Sequence, residues 1–389
     1  MTSRFTKHLA FAVATAAILA AAPALAEIKI GITVSASGPG ASLGQPQMKS
    51  VALLPKEMGG EKVTYIAFDD ESDATKAAQN ARKLIGDEKV DAIVGSSLTP
   101  VSIPLIDIAA EAKTPLMTAA ASNVLVEPMD AKKKWVFKVV PNDDIMATAL
   151  MEYIAKTGAK KIGYIGFSDA YGEGYYKVLA DIAPKLGLTL TTHEVYARAD
   201  QSVTGQILKI IATQPDAVFI AAAGTPAVLP QKALRERGYK GSIYQTHGVG
   251  TPDFIKLGGK DVEGAIYTGE AFIISDDLPK DSPFRKPTED YKKAYQAAYN
   301  TPAIVFGAHL WDSVSLIERA VPTALKAGKP GTPEFRQALR DAVEKTSNLY
   351  LNNGLSNMTP DNHNGYDKRS AFLIKVENGA FRLLQAPQQ

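Results

Sequence analysis

One stretch of the chain, residues 90–123, constrains the fold more than any other. Its sequence, VDAIVGSSLTPVSIPLIDIAAEAKTPLMTAAASN, predicts a buried strand ending at Val94, a helix opened by Pro100 and a second short strand. Each strand runs into a loop of small and hydroxyl-bearing residues, 95–99 and 118–123. Two parallel strands joined by a helix place both loops at the same edge of a sheet. The stretch therefore predicts an open α/β sheet with two polar loops at one edge.

The two polar loops have features that suit an anion. Thr99 before Pro100 has the form of a helix N-cap followed by proline at the first helical position. Free backbone amides and the positive end of the helix dipole then point toward the loops, where they favour a carboxylate or a phosphate. The local sequence is equally compatible with a structural role, in which Thr99 only caps the helix and Ser96 and Ser97 only fill the loop.

Residues 1–26 have the pattern of a secretory signal peptide. The basic residues Arg4 and Lys7 precede an apolar run, and the small residues Ala24 and Ala26 mark a cleavage site. We therefore expect an exported mature chain that begins after residue 26, a retained N-terminal anchor being the alternative. The apolar run is short for a bilayer span, and no other stretch reaches about 18 uninterrupted apolar residues.

The composition narrows the class of protein. The chain has 389 residues and no cysteine, so its stability must come from a hydrophobic core, which in a chain of this length has room for two domains. Without cysteine it lacks the residue that carries the lipid of bacterial lipoproteins, and we expect a soluble periplasmic protein. The signal holds two of the 43 basic residues and none of the 41 acidic ones. The remaining charges balance, so no nucleic-acid partner is expected.

Strand and helix patterns alternate along both halves of the chain. The first half has strand patterns at 27–34 and 63–68 in addition to those of residues 90–123. A long helical tract over 284–326 and a hairpin over 371–384 close the chain. This alternation predicts an α/β protein with two doubly wound parallel sheets. The strands predicted in the second half cover 161–166, 188–196, 217–222, 243–246 and 264–267.

Patterns typical of metal sites and of enzymes are missing. The histidines are far apart, without the HxxxH spacing or the cysteine partners of a zinc site. No GxSxG elbow, P-loop or Rossmann glycine fingerprint is present. We therefore expect no metal, no cofactor and no enzyme activity, although a catalytic triad assembled in space is not excluded by the pattern. The histidines are His8, His193, His247, His309 and His363.

Six segments of the mature chain follow one another in a recognisable order. They are IKIGITVSASGPGASLG, FDDESDATKAAQNARKLIGDEKVDAIVGSS, KTPLMTAAAS, IGYIGFSDAYGEG, PDAVFIAAAG and SAFLIKVENGAF. In order and spacing they resemble the periplasmic solute-binding proteins of ABC importers, in the branched-chain amino acid (leucine/isoleucine/valine-binding) group. The resemblance implies the type I periplasmic-binding fold, with two lobes joined by a three-crossover hinge that closes over a ligand.

The same resemblance implies lobe limits and partners. The N-terminal lobe would contain residues 27–143 and about 273–350, and the C-terminal lobe residues 144–272 and about 351–389. A monomer would deliver its small-molecule ligand to an ABC permease in the inner membrane. A periplasmic sensor that feeds a signalling protein uses the same fold and is an alternative.

The resemblance also implies which residues of this chain would contact the ligand, because they match ligand-binding positions of the family. Thr99 resembles the hydroxyl that binds the ligand carboxylate in the family, and Ala120 and Ser122 resemble a second pair of contacts after KTPLM. Tyr171 matches a cleft tyrosine of the other lobe, and Phe306 falls on an aromatic wall position. The expected ligand-binding residues are Leu43, Ser97, Thr99, Ala120, Ser122, Tyr171, Thr225, His247, Glu270 and Phe306.

His247 is a departure from the family pattern that bears on the ligand. It stands in QTHG, where amino-acid binders have an acidic residue for the α-ammonium group. A neutral imidazole cannot neutralise a buried ammonium, but it can donate to a keto oxygen, a hydroxyl or a carboxylate. This favours a carboxylate ligand without an α-ammonium group. In the alternative, His247 points elsewhere and Asp169, Asp253 or Glu270 supplies the charge.

Leu43 is a second departure, at a position that is often tyrosine in the family. With Tyr171 and Phe306 it leaves an apolar, partly aromatic slot that suits a flat ring. Subfamilies that take up aromatic acids are the nearest match. The predicted ligand is therefore an aromatic acid or an aryl 2-oxo acid such as phenylpyruvate or benzoylformate. A branched-chain or aromatic amino acid is the alternative.

Overall fold

Two mostly parallel sheets form the framework of the computed structural model, which describes residues 27–387. The expected signal peptide, residues 1–26, lies outside the described residues. The strands are β1 (Ile28–Val34), β2 (Glu57–Met58), β3 (Glu61–Asp69), β4 (Ala92–Gly95), β5 (Leu116–Thr118), β6 (Val136–Lys138), β7 (Lys161–Phe167), β8 (Thr189–Leu190), β9 (Glu194–Tyr196), β10 (Ala217–Ala221), β11 (Ser242–Gln245), β12 (Ile266–Gly269), β13 (Leu349–Leu351), β14 (Gly354–Ser356), β15 (Phe372–Glu377) and β16 (Ala380–Gln385). The α-helices are α1 (Ala41–Ser50), α2 (Ala74–Gly86), α3 (Thr99–Glu111), α4 (Asp143–Lys156), α5 (Ala170–Ile182), α6 (Thr204–Ala212), α7 (Val228–Glu236), α8 (Pro252–Gly258), α9 (Arg285–Tyr299), α10 (Val305–Ala327) and α11 (Pro333–Glu344).

The first sheet has six strands in the order β2-β3-β1-β4-β5-β6, and its pairs are parallel except for β2 with β3. Every residue of β1 from Ile30 to Val34 is buried, as in strands that are covered on both faces by helices. The chain adds β3 on one side of β1 and then β4 on the other, so the strand order reverses there. Such a switch point opens a crevice beyond the carboxyl ends of the two strands.

The second sheet has eight strands and a switch point of its own. Its order is β16-β15-β12-β11-β10-β7-β8, with β9 also paired to β7. The strand order reverses at β7, whose neighbours include β10 on one side and β8 on the other. The predicted C-terminal hairpin is confirmed: β15 and β16 are antiparallel around Asn378 and Gly379, which have φ angles of 54° and 68°. Positive φ at both central residues is what a two-residue hairpin loop of this kind requires.

The chain crosses between the two sheets three times, as in the type I periplasmic-binding fold. The crossings follow β6, β12 and β14, and we call the part built on the first sheet the first lobe and the other the second lobe. Helices α9, α10 and α11 return to the first lobe, where α10 packs against α1 and α11. Met358 and Tyr366 belong to the same hydrophobic core as β1. We therefore propose that the third crossing lies near residue 367, later than the limit of about 351 implied by the resemblance.

Two predicted elements are divided in the structure. The helical tract over 284–326 is interrupted between α9 and α10, because Asn300 ends α9 in the left-handed conformation and Pro302 disfavours helix in the residue before it. The strand predicted over 188–196 is split into β8 and β9. Between them Thr192 Oγ1 accepts a hydrogen bond of 2.9 Å from the Tyr164 amide, so a side chain replaces a backbone partner in the ladder.

Candidate functional site

A small cavity lies between the two lobes, with a volume of about 30 Å³. Its walls come from loops and helix starts that follow the carboxyl ends of strands in both sheets, including those at the two switch points, and from the first turns of α1 and α10. The structure brings six of the ten expected residues into its lining: Leu43, Ser97, Thr99, Tyr171, His247 and Phe306. The other lining residues are Leu98, Ala119, Ala121, Val140, Arg198, Ala223, Gly248 and His309.

The four remaining expected residues lie outside the lining; they are Ala120, Ser122, Thr225 and Glu270. The amide of Ala120 donates to Thr118 Oγ1 at 3.3 Å, within its own loop. Ser122 Oγ faces Gly174 of the second lobe, where an added Cβ would lie 3.2 Å away. The Thr225 amide donates to Ser42 Oγ at 3.4 Å. Contacts with neighbouring residues thus occupy the amides of Ala120 and Thr225, whereas neither carboxylate oxygen of Glu270 has a hydrogen-bond partner among residues 27–387.

Asp70 holds the first switch point together, a role that sequence analysis missed. Its carboxylate accepts hydrogen bonds of 2.7 Å from Ser35 Oγ and from Ser96 Oγ. Ser97 Oγ accepts from the Ser35 amide at 3.0 Å and donates to Gln47 Oε1. The hydroxyls of Ser96 and Ser97 therefore have the structural role that the sequence analysis considered, because both are hydrogen-bonded to other residues of the protein.

Thr99 differs from these serines because its hydroxyl is free. Thr99 is the first residue of α3, and the N-cap is Leu98, whose side chain makes no capping hydrogen bond. The predicted N-cap, Thr99, was therefore wrong by one position. Pro100 occupies the second helical position and not the first. Thr99 is 2% exposed, and its Oγ1 has no hydrogen-bond partner among residues 27–387. Buried polar groups are ordinarily paired, and the first amides of a helix also lack partners within it. The start of α3 can therefore donate to an anionic oxygen.

Two tyrosines fix the wall that the second lobe contributes. The Tyr171 hydroxyl donates to Thr246 Oγ1 at 2.8 Å, so Tyr171 presents its ring to the cavity. The Tyr175 hydroxyl lies 3.0 Å from His247 Nδ1, while the buried His247 Nε2 has no partner in the described part of the chain. Burial lowers the pKa of His247 to about 4. With Tyr175 donating to Nδ1, the neutral imidazole carries its proton on Nε2 and can donate it to a ligand.

A negatively charged residue, Glu270, lies near the cavity at the second crossing between the lobes. Glu270 Oε1 is 3.7 Å from His309 Nε2, and both side chains are almost fully buried. Burial acts to raise the pKa of Glu270, but the contact with the His309 imidazole is the largest opposing effect, and that pKa stays below its usual value. The carboxylate is therefore ionised, behind His309 in the cavity wall. Asp169 and Asp253, the other carboxylates considered from sequence, serve instead at the N-cap and in the first turn of helices.

A second buried charged group at the first crossing was also missed from sequence. Asp143 begins α4, and burial raises the pKa of its carboxyl, while the positive charge of Lys138 is the largest effect in the opposite direction. Lys138 lies nearby, donates to the carbonyls of Ala121 and Pro141 and has its pKa lowered by burial. The segment PNDD indicates only a helix cap in the sequence, and nothing local signals that these charges are inside.

Arg198 is a cavity residue that no sequence pattern indicated. It follows β9 in the loop ARAD, and its side chain is 12% exposed. Its Nε donates to Asp169 Oδ2 at 2.6 Å. The lining therefore includes one permanently charged cation.

A larger groove of about 640 Å³ lies beside the second crossing. Its walls are mainly apolar, with Phe272, Ile304 and Val305 among them. Its polar side chains have partners within the protein, since Lys292 Nζ lies 3.5 Å from Asp276 Oδ2, Lys293 pairs with Glu289 and Gln296 donates to Asn300. We place the candidate site in the smaller cavity, because there unpartnered polar groups from both lobes converge.

The burial of His247 predicts a pH dependence of stability. Its pKa of about 4 in the folded protein is below the usual 6.5, so the unfolded chain binds more protons between these values. The free energy of unfolding should therefore rise with pH from about 4 to 6.5, by up to about 3 kcal/mol from this group. Urea unfolding from pH 4.5 to 7 should show a flatter profile for His247→Gln than for the wild type. Parallel profiles would contradict the neutral, buried imidazole.

Metal binding and membrane insertion are two properties that the sequence analysis considered. Within residues 27–387, no group of three or more His, Cys, Asp or Glu side chains is arranged to hold a metal ion. Over the same residues, no helix combines the length and the apolar character needed to cross a bilayer.

Comparison with known proteins gives a consistent family assignment. The family model described as periplasmic binding protein matches residues 27–380. Leu/Ile/Val-binding protein homolog 3 of Brucella melitensis is 24% identical, over 85% of this chain and 90% of its own. The crystal structure of an extracellular ligand-binding receptor from Rhodopseudomonas palustris HaA2 is 75% identical, with a TM-score of 0.91 over 92% of this chain and 99% of that one.

A more distant structure is informative about the fold. It is a solute-binding protein of an ABC transporter from R. palustris, solved in complex with benzoate. It is 21% identical and aligns with a TM-score of 0.79 over 93% of this chain and 97% of its own. At this identity the likeness concerns the fold.

Proposed function

Because the chain belongs to the family of periplasmic binding proteins, whose members bind small molecules and work with ABC transporter permeases, we propose that it captures a carboxylate without an α-ammonium group. The ligand is an aromatic acid or an aryl 2-oxo acid of the phenylpyruvate or benzoylformate type. The observation that carries this proposal is the pairing of a free hydroxyl, Thr99, with a neutral imidazole, His247, across one cavity.

The polar groups of the two lobes suit the two ends of a 2-oxo acid group. Thr99 Oγ1 and the first amides of α3 donate to the carboxylate from the first lobe. His247 Nε2 donates to the oxo oxygen from the second lobe. Leu43, Tyr171 and Phe306 surround the space between them and favour a flat apolar group. The benzoate complex of the distant relative supports the idea that this fold accommodates an aromatic acid.

The size of the cavity supports capture by hinge closure. Its volume of about 30 Å³ is close to the share of one water molecule in the liquid. An aromatic acid therefore enters only when the lobes move apart, and its groups meet both walls when they close again.

An amino acid is the second candidate, and one observation favours it. Glu270 is ionised and buried near the cavity, where its Oε1 lies 3.7 Å from His309 Nε2. A ligand ammonium that displaced the His309 ring would find a carboxylate there. The relative in B. melitensis is named as a Leu/Ile/Val-binding protein homolog.

Calorimetric titration of the ligand-stripped protein with phenylpyruvate and phenylalanine distinguishes the two candidates. We expect phenylpyruvate to bind at least about 100-fold more tightly, because a buried ammonium beside a neutral His247 is poorly compensated. Glu270→Gln should not weaken phenylpyruvate binding, since the ligand has no cation to pair with Glu270 and its carboxylate is repelled by that residue. Tight binding of phenylalanine that is lost in Glu270→Gln would contradict the proposal and establish the amino-acid candidate.

A further inference from the structure

We infer that Arg198 binds the ligand carboxylate end-on from the second lobe and supplies the positive charge that an acid without an ammonium group requires. The inference rests on the proposed function, because it concerns the same cavity and a ligand of net negative charge. It adds a residue that neither the sequence pattern nor the family resemblance assigns to the site.

The guanidinium of Arg198 is held in one orientation by two neighbours. Its Nε donates to Asp169 Oδ2 at 2.6 Å, and its central carbon lies 4.0 Å from the centre of the Phe167 ring. Asp169 is itself fixed, since its Oδ1 accepts the Tyr171 amide at 2.9 Å at the start of α5. The position of the cation is thus set by the end of β7 and the beginning of α5, before any ligand binds.

This arrangement leaves one edge of the guanidinium free. An arginine side chain has five N–H donors, and an end-on carboxylate uses the two terminal nitrogens. Asp169 takes Nε, and no acceptor for Nη1 or Nη2 is recorded among residues 27–387. Because Arg198 lines the cavity, its terminal nitrogens are the donors of the second lobe that suit a carboxylate geometrically.

The charged residues around the cavity favour one orientation of the ligand carboxylate. Arg198 is beside the start of α5, whereas the ionised Glu270 is beside His309 at the second crossing. At the first location an anionic group meets the free terminal N–H donors of a guanidinium whose charge Asp169 partly balances, and at the second it is repelled by an unbalanced carboxylate. The carboxylate would therefore bridge Arg198 of the second lobe and Thr99 of the first, and its binding would hold the lobes together.

The test compares an acid with its neutral amide. Wild type, Arg198→Gln and Arg198→Lys are titrated with phenylpyruvate and with its primary amide, and thermal unfolding without ligand reports whether each variant is folded. We expect Arg198→Gln to weaken phenylpyruvate binding at least about tenfold and amide binding less than about threefold. Arg198→Lys keeps the charge but loses the paired donors, so its loss should be intermediate. Arg382→Gln is the control, because Arg382 is exposed on β16 and pairs with Asp277.

The outcomes separate this inference from the proposed function. Equal weakening of acid and amide would mean that Arg198 only supports Tyr171 and the start of α5, and it would overturn the inference alone. If either variant kept the wild-type preference for phenylpyruvate over its amide, that result would also overturn the inference alone. If Arg198→Gln does not fold, the comparison in Arg198→Lys decides. A wild-type protein that binds neither phenylpyruvate nor phenylalanine would overturn the inference and the proposed function together.

Discussion

Replacing Thr99 with valine is expected to weaken the binding of carboxylate ligands by about 10- to 100-fold, the contribution of a hydrogen bond to a charged group. Valine has the shape of threonine but cannot donate, so the ligand oxygen would be buried against a methyl group. The free protein should lose no stability, because Thr99 Oγ1 has no partner within the described chain. The substitution would thus separate binding from folding.

Calorimetry and thermal unfolding of the Thr99→Val protein test this expectation. Thr114→Val is a suitable control: Thr114 is equally buried, at 1% exposed, but its hydroxyl donates to the Ala112 carbonyl at 3.3 Å, away from the cavity. The control should bind ligand as the wild type does. Unchanged affinity of Thr99→Val for phenylpyruvate would remove Thr99 from the site.

Replacing Asp312 with leucine is expected to reduce the free energy of unfolding by about 4 kcal/mol, since several buried donors lose their acceptor at once. Asp312 in α10 accepts four hydrogen bonds from the segment that joins β13 to β14. The Asn352 and Asn353 side chains donate at 2.7 and 2.8 Å, and both backbone amides donate at 3.2 Å. All three residues are fully buried, so water cannot easily replace the carboxylate.

Urea unfolding at neutral pH measures this effect. Asp290→Leu in α9 is the matched control, since Asp290 is 51% exposed and, among residues 27–387, pairs only with Lys286, at 2.7 Å. Its effect should stay within about 0.5 kcal/mol. A loss of less than about 1 kcal/mol for Asp312→Leu would show that water or neighbouring groups satisfy the asparagines, contrary to the expectation.

The fold was predictable because its signals are local and repeated. Apolar runs such as Ile28–Val34 mark strands that are buried on both faces, and Asn378-Gly379 marks its hairpin. The errors in the prediction arose where tertiary contacts override local pattern. The Thr192 hydroxyl replaces a backbone partner of Tyr164 and divides a strand, and no periodicity in the sequence reveals such an exchange.

The candidate site could be anticipated where residues follow strands, and for Leu43 and Phe306, which lie in helices, through the family resemblance. Thr99 and His247 occupy such positions, and six of the ten expected residues line the cavity. Arg198 was missed because its place depends on Phe167 and Asp169, which are distant in sequence. Asp143 was missed because a charged residue at the start of a helix is ordinarily exposed. Asp143 is buried because it lies at a crossing between the lobes, and the position of the crossings depends on the whole fold.

Helix α10 has a mechanical consequence for the molecule. It spans 23 residues, which corresponds to a rod of about 35 Å. Its first turns carry Phe306 and His309 in the cavity wall, and its later turns pack against α11 in the core of the first lobe. A tilt of about 5° imposed at one end of a rod this long displaces the other by about 3 Å. A ligand that tilted the first turns of α10 would therefore also move the far surface of the first lobe, which lies away from the cavity.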